Sequence, residues 1–221
     1  MSASGLAAVW AEENTREAIV AAFQRKEVYA TSGPRIQVQF YGGWNFRKAD
    51  LRAKNITERG RSKGVPMGGD LPEAGKAKMP SFMVTAARDP VGANLDRIQI
   101  IKGWVEADGQ VRERVFDVVA SDGRETGPDG KLPPVGNTVN LATASFTNSI
   151  GAASLAAVWR DPDFSPAQAS FYYARVLEIP KPRHSLYDAV ALQQPHVENQ
   201  PETIQERAYT SPIWYTLEEI H

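Results

Sequence analysis

The sequence predicts a mainly β protein: an antiparallel β-sandwich, immunoglobulin-like or jelly-roll-like, preceded by a short α/β segment. Three observations carry this reading. Roughly eight short extended runs follow one another at sandwich spacing, each bounded by Gly, Pro or Asp. Asp108-Gly109 separates two of these runs, a strong two-residue hairpin signal. A single helix-then-strand unit, residues 11–35, stands before them with no earlier α/β unit to close on. The boundary falls at Gly33-Pro34. Residues 1–33 form an incomplete domain and residues 34–221 the sandwich.

The elements follow in order. Leu6 to Trp10 is an apolar run suited to a buried strand or to packing under a helix. Asn14 is the expected N-cap, with Glu17 three residues on completing a capping box. Ala18, Ile19, Ala22 and Phe23 then share one helical stripe, and Arg25 and Lys26 place positive charge in the last turn. Val28 to Thr31 is strand-like and ends at Ser32-Gly33-Pro34. Ile36, Val38 and Phe40 alternate with Gln37, Gln39 and Tyr41, marking a half-buried strand that Gly42-Gly43 is expected to break.

Phe82, Val84 and Ala86 alternate, as do Ile98 and Ile100, and Val111 to Val119 supplies the return strand of the hairpin. Residues 121–137 read as a long surface loop, rich in Gly, Pro and Asp. Residues 138–143 and 153–159 are further strand candidates, and 167–170 a helical turn. Phe171 to Ile179 is rich in Tyr, Val, Leu and Ile, and Pro180 and Pro182 stop it. A short helix over 187–192 and a last strand over 207–215 complete the chain.

Composition narrows the function classes. At 221 residues the chain can bury a real core, and its net charge of -1 gives no global attraction to nucleic acid or anionic membrane. It has no cysteine, which excludes disulfides and thiolate chemistry. No run approaches a membrane span and no basic-then-apolar leader pattern opens the sequence. The expectation is a soluble protein of the cytoplasm or periplasm, with no nucleic-acid or membrane partner. Residues 47–63 are the most basic stretch, but no nucleic-acid module's aromatic-glycine motif accompanies them.

Chemistry-bearing patterns are sparse. His184, His196 and His221 lack the spacing of a metal motif. Ser32 precedes a glycine without a nucleophile elbow around it. The acids Asp122, Glu125 and Asp129 do not match a calcium loop.

Five stretches are specific enough to suggest kinship: GLAAVWAEENTREAIVAAFQRKEVYATSGPRI at 5–36, GVPMGGDL at 64–71, DPVGANLDRIQIIKGW at 89–104, FYYARVLEIPKPR at 171–183 and ERAYTSPIWY at 206–215. They resemble the C-terminal part of the bacterial family called domain of unknown function 3604, a relative of the polymerase-and-histidinol-phosphatase (PHP) group of amidohydrolase-like metallohydrolases. The resemblance implies that residues 1–33 close a metallohydrolase barrel. It implies also that the chain is the non-catalytic C-terminal portion of a metal-dependent hydrolase.

The divalent metal and its ligands are then expected in the longer parent, with no cofactor in this chain. A small-molecule substrate would be bound through the catalytic domain. Residues past a barrel strand's C-terminal end face the active site, which makes Thr31, Ser32 and Arg35 substrate-pocket candidates, with Glu12 and Glu13 at the same rim. Apolar surface on Leu6, Val9, Trp10, Ile19 and Phe23, without its barrel neighbours, predicts a homo-oligomer or disorder of this segment. The alternative is a sandwich module that recognises a glycan or protein partner through Trp44, Trp104 and Trp159.

Overall fold

Period-two alternation underlies the two larger sheets. The computed structural model describes residues 4–72, 79–106 and 108–217. Strand β1 (Leu6–Val9), helix α1 (Arg16–Gln24) and strand β2 (Val28–Thr31) come first. Strand β3 (Gln37–Gly43), a 3₁₀ turn (Lys48–Arg52), helix α2 (Ile56–Lys63) and strand β4 (Gly64–Pro66) follow. Then come β5 (Ser81–Ala87), β6 (Leu95–Val105), β7 (Val111–Ala120), β8 (Ser154–Arg160) and β9 (Ser170–Glu178). Strand β10 (Lys181–Pro182), helix α3 (His184–Leu192), and strands β11 (Thr203–Ile204), β12 (Arg207–Thr210) and β13 (Ile213–Tyr215) close the chain.

The protein is mainly β, with antiparallel sheets that do not close into a barrel among the described residues. Seven strands form one sheet in the order β1-β2-β12-β9-β6-β7, with β13 also paired to β9. Four form a second, β4-β3-β5-β8, and β10 pairs β11. Val38, Phe40, Phe82, Val84 and Ala86 from the four-stranded sheet share one core with Ile98, Ile100, Tyr172, Ala174 and Val176 from the seven-stranded one. Phe82 and Tyr172 meet across it with ring centroids 4.4 Å apart. No helix among the described residues is long and apolar enough to cross a membrane.

Several local expectations change. Thr15, not Asn14, caps α1: its hydroxyl accepts from the Ala18 amide at 3.3 Å. The helix ends at Gln24, and Lys26 takes a left-handed backbone (φ 59°), so Arg25 and Lys26 lie beyond its last turn. Phe23 is exposed; Ala22 is the residue the helix buries. Gly42 and Gly43 do not break β3 but belong to it, paired with β5 and β4. They are glycines because neighbours come close: a Cβ on Gly43 would lie 2.5 Å from the Lys63 carbonyl oxygen.

Residues 138–143 form no strand beyond the isolated Asn140–Ser145 bridge, and 167–170 form no helix. The last strand is two, split at Ser211-Pro212, because Pro has no amide to give a ladder. Both halves pair with β9. The N-terminal segment is built into the large sheet: β2 pairs β1 on one side and β12 on the other. Position 221 lies outside the described residues.

Candidate functional site

The end of β2 is fixed by its own side chains. The Ser32 hydroxyl donates to a Glu206 carboxylate oxygen and accepts from the Arg207 amide at 2.9 Å. The Ser32 amide donates in turn to the Arg207 carbonyl at 2.9 Å. Thr31 is buried, and its hydroxyl accepts from the Gly33 amide at 3.3 Å. Gly33 has φ +150°, in the region that favours glycine, and lets the chain turn so sharply there. Two residues on, the Arg35 amide donates to Asp89 at 2.8 Å. That bond, against the opposing effect of burial, holds the Asp89 carboxyl below the usual carboxylate range.

A third acid completes the cluster. Inward alternation along β9 runs Tyr172, Ala174, Val176 and then Glu178, so a carboxylate occupies a core-facing position at the strand's end. Glu178 is 0% exposed, and neither of its carboxylate oxygens has a hydrogen-bond partner. The Lys181 ammonium lies 3.6 Å from Glu178 and 3.7 Å from Glu206, within ion-pair range but beyond a direct hydrogen bond. Burial pushes the Glu178 carboxyl up to about 7, aided by Glu206 and Asp89 and opposed by Lys181. The turn at 89–92 packs against it, leaving room only for glycine-sized Gly92: a Cβ there would sit 2.9 Å from Asp89 Cβ and 3.3 Å from Glu178 Oε1.

A carboxyl balanced near neutrality can take up and release a proton. Lys181 already lies between Glu178 and Glu206, and among the described residues no three His, Cys, Asp or Glu side chains converge to hold a metal. The Ser32 hydroxyl is bonded to a carboxylate rather than to a histidine, so it lacks the base of a hydrolase triad.

Of the five expected residues, Thr31, Ser32 and Arg35 come together here. The Arg35 side chain is exposed and makes no ion pair among the described residues. Glu12 and Glu13 do not join them. Leu6 pairs with Thr31 but Val9 with Val28, so the chain after β1 emerges at the opposite end of β2. Both glutamates are exposed, and Glu13 accepts from the Thr15 hydroxyl at 3.1 Å. Asp89, Glu178, Lys181 and Glu206 were missed. For Glu178 the signal was present: it is a charge following Tyr172, Ala174 and Val176 in the inward phase of β9.

The other singled-out residues scatter. Trp44 packs edge-on against Phe164 and Tyr215, and Trp159 against Phe82 and Phe116. The Lys102 ammonium lies 5.3 Å from the Trp104 ring centre. All three tryptophans are half-buried and none pairs with another. His196 Nε2 meets the Ser185 hydroxyl at 2.9 Å, tying α3 to the segment after it. In the basic stretch, Arg61 pairs with buried Glu27 at 2.6 Å and Lys63 with buried Asp50 at 2.8 Å.

The molecule is thus a mainly β protein of two large antiparallel sheets and one small one, with a buried cluster of carboxylates, one lysine and one serine where its N-terminal strands join the largest sheet. It belongs to the family described as "Protein of unknown function (DUF3604)", whose model matches residues 1–217. No curated protein and no solved structure matches the chain.

Proposed function

We propose that this chain is the C-terminal, non-catalytic portion of a PHP-like metal-dependent hydrolase acting on a small molecule. In this reading the two sheets are a β-sandwich, and residues 1–33 complete a barrel supplied by the longer protein. The observation that carries it is the turn after β2. Thr31, Ser32 and Arg35 lie at and just past the C-terminal end of β2, the Ser32 hydroxyl bonded to Glu206, the Ser32 backbone to Arg207 and the Arg35 amide to Asp89, while the Arg35 side chain is exposed and makes no ion pair among the described residues. A planar fork of donors on a rigid base suits an anionic or carbonyl oxygen of a bound substrate. None of these residues is assigned to the metal.

The test compares two proteins: this chain, and the longer reading frame that carries an upstream His-x-His pair. Metal content and turnover of p-nitrophenyl esters and phosphoesters are measured for both. The longer protein is expected to hold metal and turn over, and Arg35→Ala within it to raise KM by about tenfold, the loss of a charge-assisted bond. Stoichiometric metal or turnover in the 221-residue chain alone would overturn the reading.

A further inference from the structure

The outward face of the seven-stranded sheet carries an aromatic trough unrelated to the cluster above. Alternation along β9 sends Phe171, Tyr173 and Arg175 outward, opposite the core residues Tyr172, Ala174 and Val176. Register places Trp214 of β13 beside Phe171 and Tyr209 of β12 beside Arg175. The rings form a continuous strip. Phe171 lies 5.1 Å from Trp214 and 6.4 Å from Tyr173, and Tyr173 lies 6.4 Å from Tyr209.

Phe171 and Tyr173 form the floor of the strip, with the Trp214 and Tyr209 rings inclined to it. Phe171 and Tyr173 are nearly parallel, at 13°, while Trp214 tilts 46° from Phe171 and Tyr209 tilts 41° from Tyr173. The floor is built in: Phe171 fills the space over Gly103 where a side chain would stand, its ring carbons 2.3–2.9 Å from a Cβ placed there. Ile101 is sealed in the sheet, whereas Trp214 is 39% exposed.

Charge is concentrated at one end. Arg175 bonds the Gln99 side-chain oxygen at 2.8 Å, and Arg207 bonds the Gln205 carbonyl at 3.3 Å and reaches the Tyr209 hydroxyl at 3.5 Å. Neither guanidinium has a carboxylate partner among the described residues. Burial raises the Tyr209 hydroxyl, but Arg207 and Arg175 outweigh it and bring the phenol below its ordinary value. At the other end Glu113, paired with Gly103 across β6 and β7, is exposed and negative.

We propose that this trough binds an oligosaccharide carrying a single uronate group, its sugar rings on Phe171 and Tyr173 and its carboxylate at Arg175 and Arg207. The negative faces of aromatic rings attract the slightly positive C–H faces of pyranose sugars. Tyrosine hydroxyls, Gln99 and the arginines offer hydrogen bonds at the edges, and a sugar carboxylate supplies the negative charge that Arg175 and Arg207, bonded only to neutral oxygens among the described residues, lack. Protein interfaces are also rich in aromatic residues and arginine, so a second copy of the chain on this face is the competing outcome of the test below. This site is independent of the hydrolase assignment, and the failure of either leaves the other standing.

Calorimetry of the whole chain with xylotetraose bearing one glucuronate, and with plain xylotetraose, tests the proposal. The acidic sugar is expected to bind at least about tenfold more tightly. Tyr173→Ala and Trp214→Ala should each weaken both sugars about fivefold or more with the melting transition retained. Arg175→Gln should remove the preference for the acidic sugar. Equal affinity for the two sugars, no heat with either at about 10 mM, or affinities unmoved in all three variants would overturn it. So would self-association abolished by Trp214→Ala, which would give the face to a second copy of the chain.

Discussion

At the scale of single residues, Glu178 is the most informative group in the molecule. A fully buried carboxylate with no hydrogen-bond donor costs least when protonated, and its pKa of about 7 lies above the ordinary 4.5 of a glutamate. The native state therefore holds the proton more tightly than the unfolded chain. Its stabilising effect is full below about pH 4.5 and is lost as pH rises through about 7, a swing of at most about 3 kcal/mol. Denaturant unfolding at pH 5 and pH 7.5 should show this fall in the wild type and a much smaller one in Glu178→Gln. Lys181 opposes the rise because its ammonium faces both Glu178 and Glu206. Lys181→Met should accordingly destabilise by roughly 1–3 kcal/mol at pH 7.5 and by less at pH 5, where Glu178 is already neutral. An equal loss at both pH values would show that Lys181 acts independently of Glu178, through Glu206 or through packing.

At the scale of elements, what was legible was whatever is written in consecutive residues. Ile36, Val38 and Phe40 are core residues of β3 or its approach, and the Asp108-Gly109 turn is a hairpin turn with Gly109 at φ +82°. The paired glycines were misread because their signal is ambiguous: glycine breaks a strand, or admits a neighbour's backbone. Here it admits neighbours, and Gly43→Ala, forced against the Lys63 carbonyl oxygen, should cost about 1–3 kcal/mol of unfolding free energy. A thermal melt unchanged from wild type would show that β4 can shift aside. The candidate site was half legible for a related reason. Thr31, Ser32 and Arg35 lie in one short stretch, but their partners sit on the 89–92 turn, the end of β9 and the start of β12. Ser32 and Glu206 are 174 residues apart, and only the sheet order brings them together.

At the scale of the whole molecule, the two sheets are joined by more than apolar contact. Lys102 on β6 reaches inward to Asp161, which follows β8 in the other sheet, at 2.6 Å, and both are buried. The Tyr172 hydroxyl donates to the same carboxylate at 2.7 Å, and Lys102 also donates to the Asp163 carbonyl at 2.8 Å. Burial and the Asp161 charge together hold the Tyr172 phenol protonated, keeping it a donor. An ion pair in a core does not necessarily stabilise more than an apolar pair of similar volume, because both charges lose their water. Removing one partner is another matter. Asp161→Ala leaves an ammonium and a phenol buried without their acceptor and should cost about 3–5 kcal/mol. Lys102→Met combined with Asp161→Leu should recover most of that loss if the pair serves chiefly to set the alignment of the sheets, and denaturant midpoints of the single and double variants measure it. If the double variant is as unstable as Asp161→Ala, the hydrogen bonds to Tyr172 and the Asp163 carbonyl, rather than the charge pair, hold the sheets together.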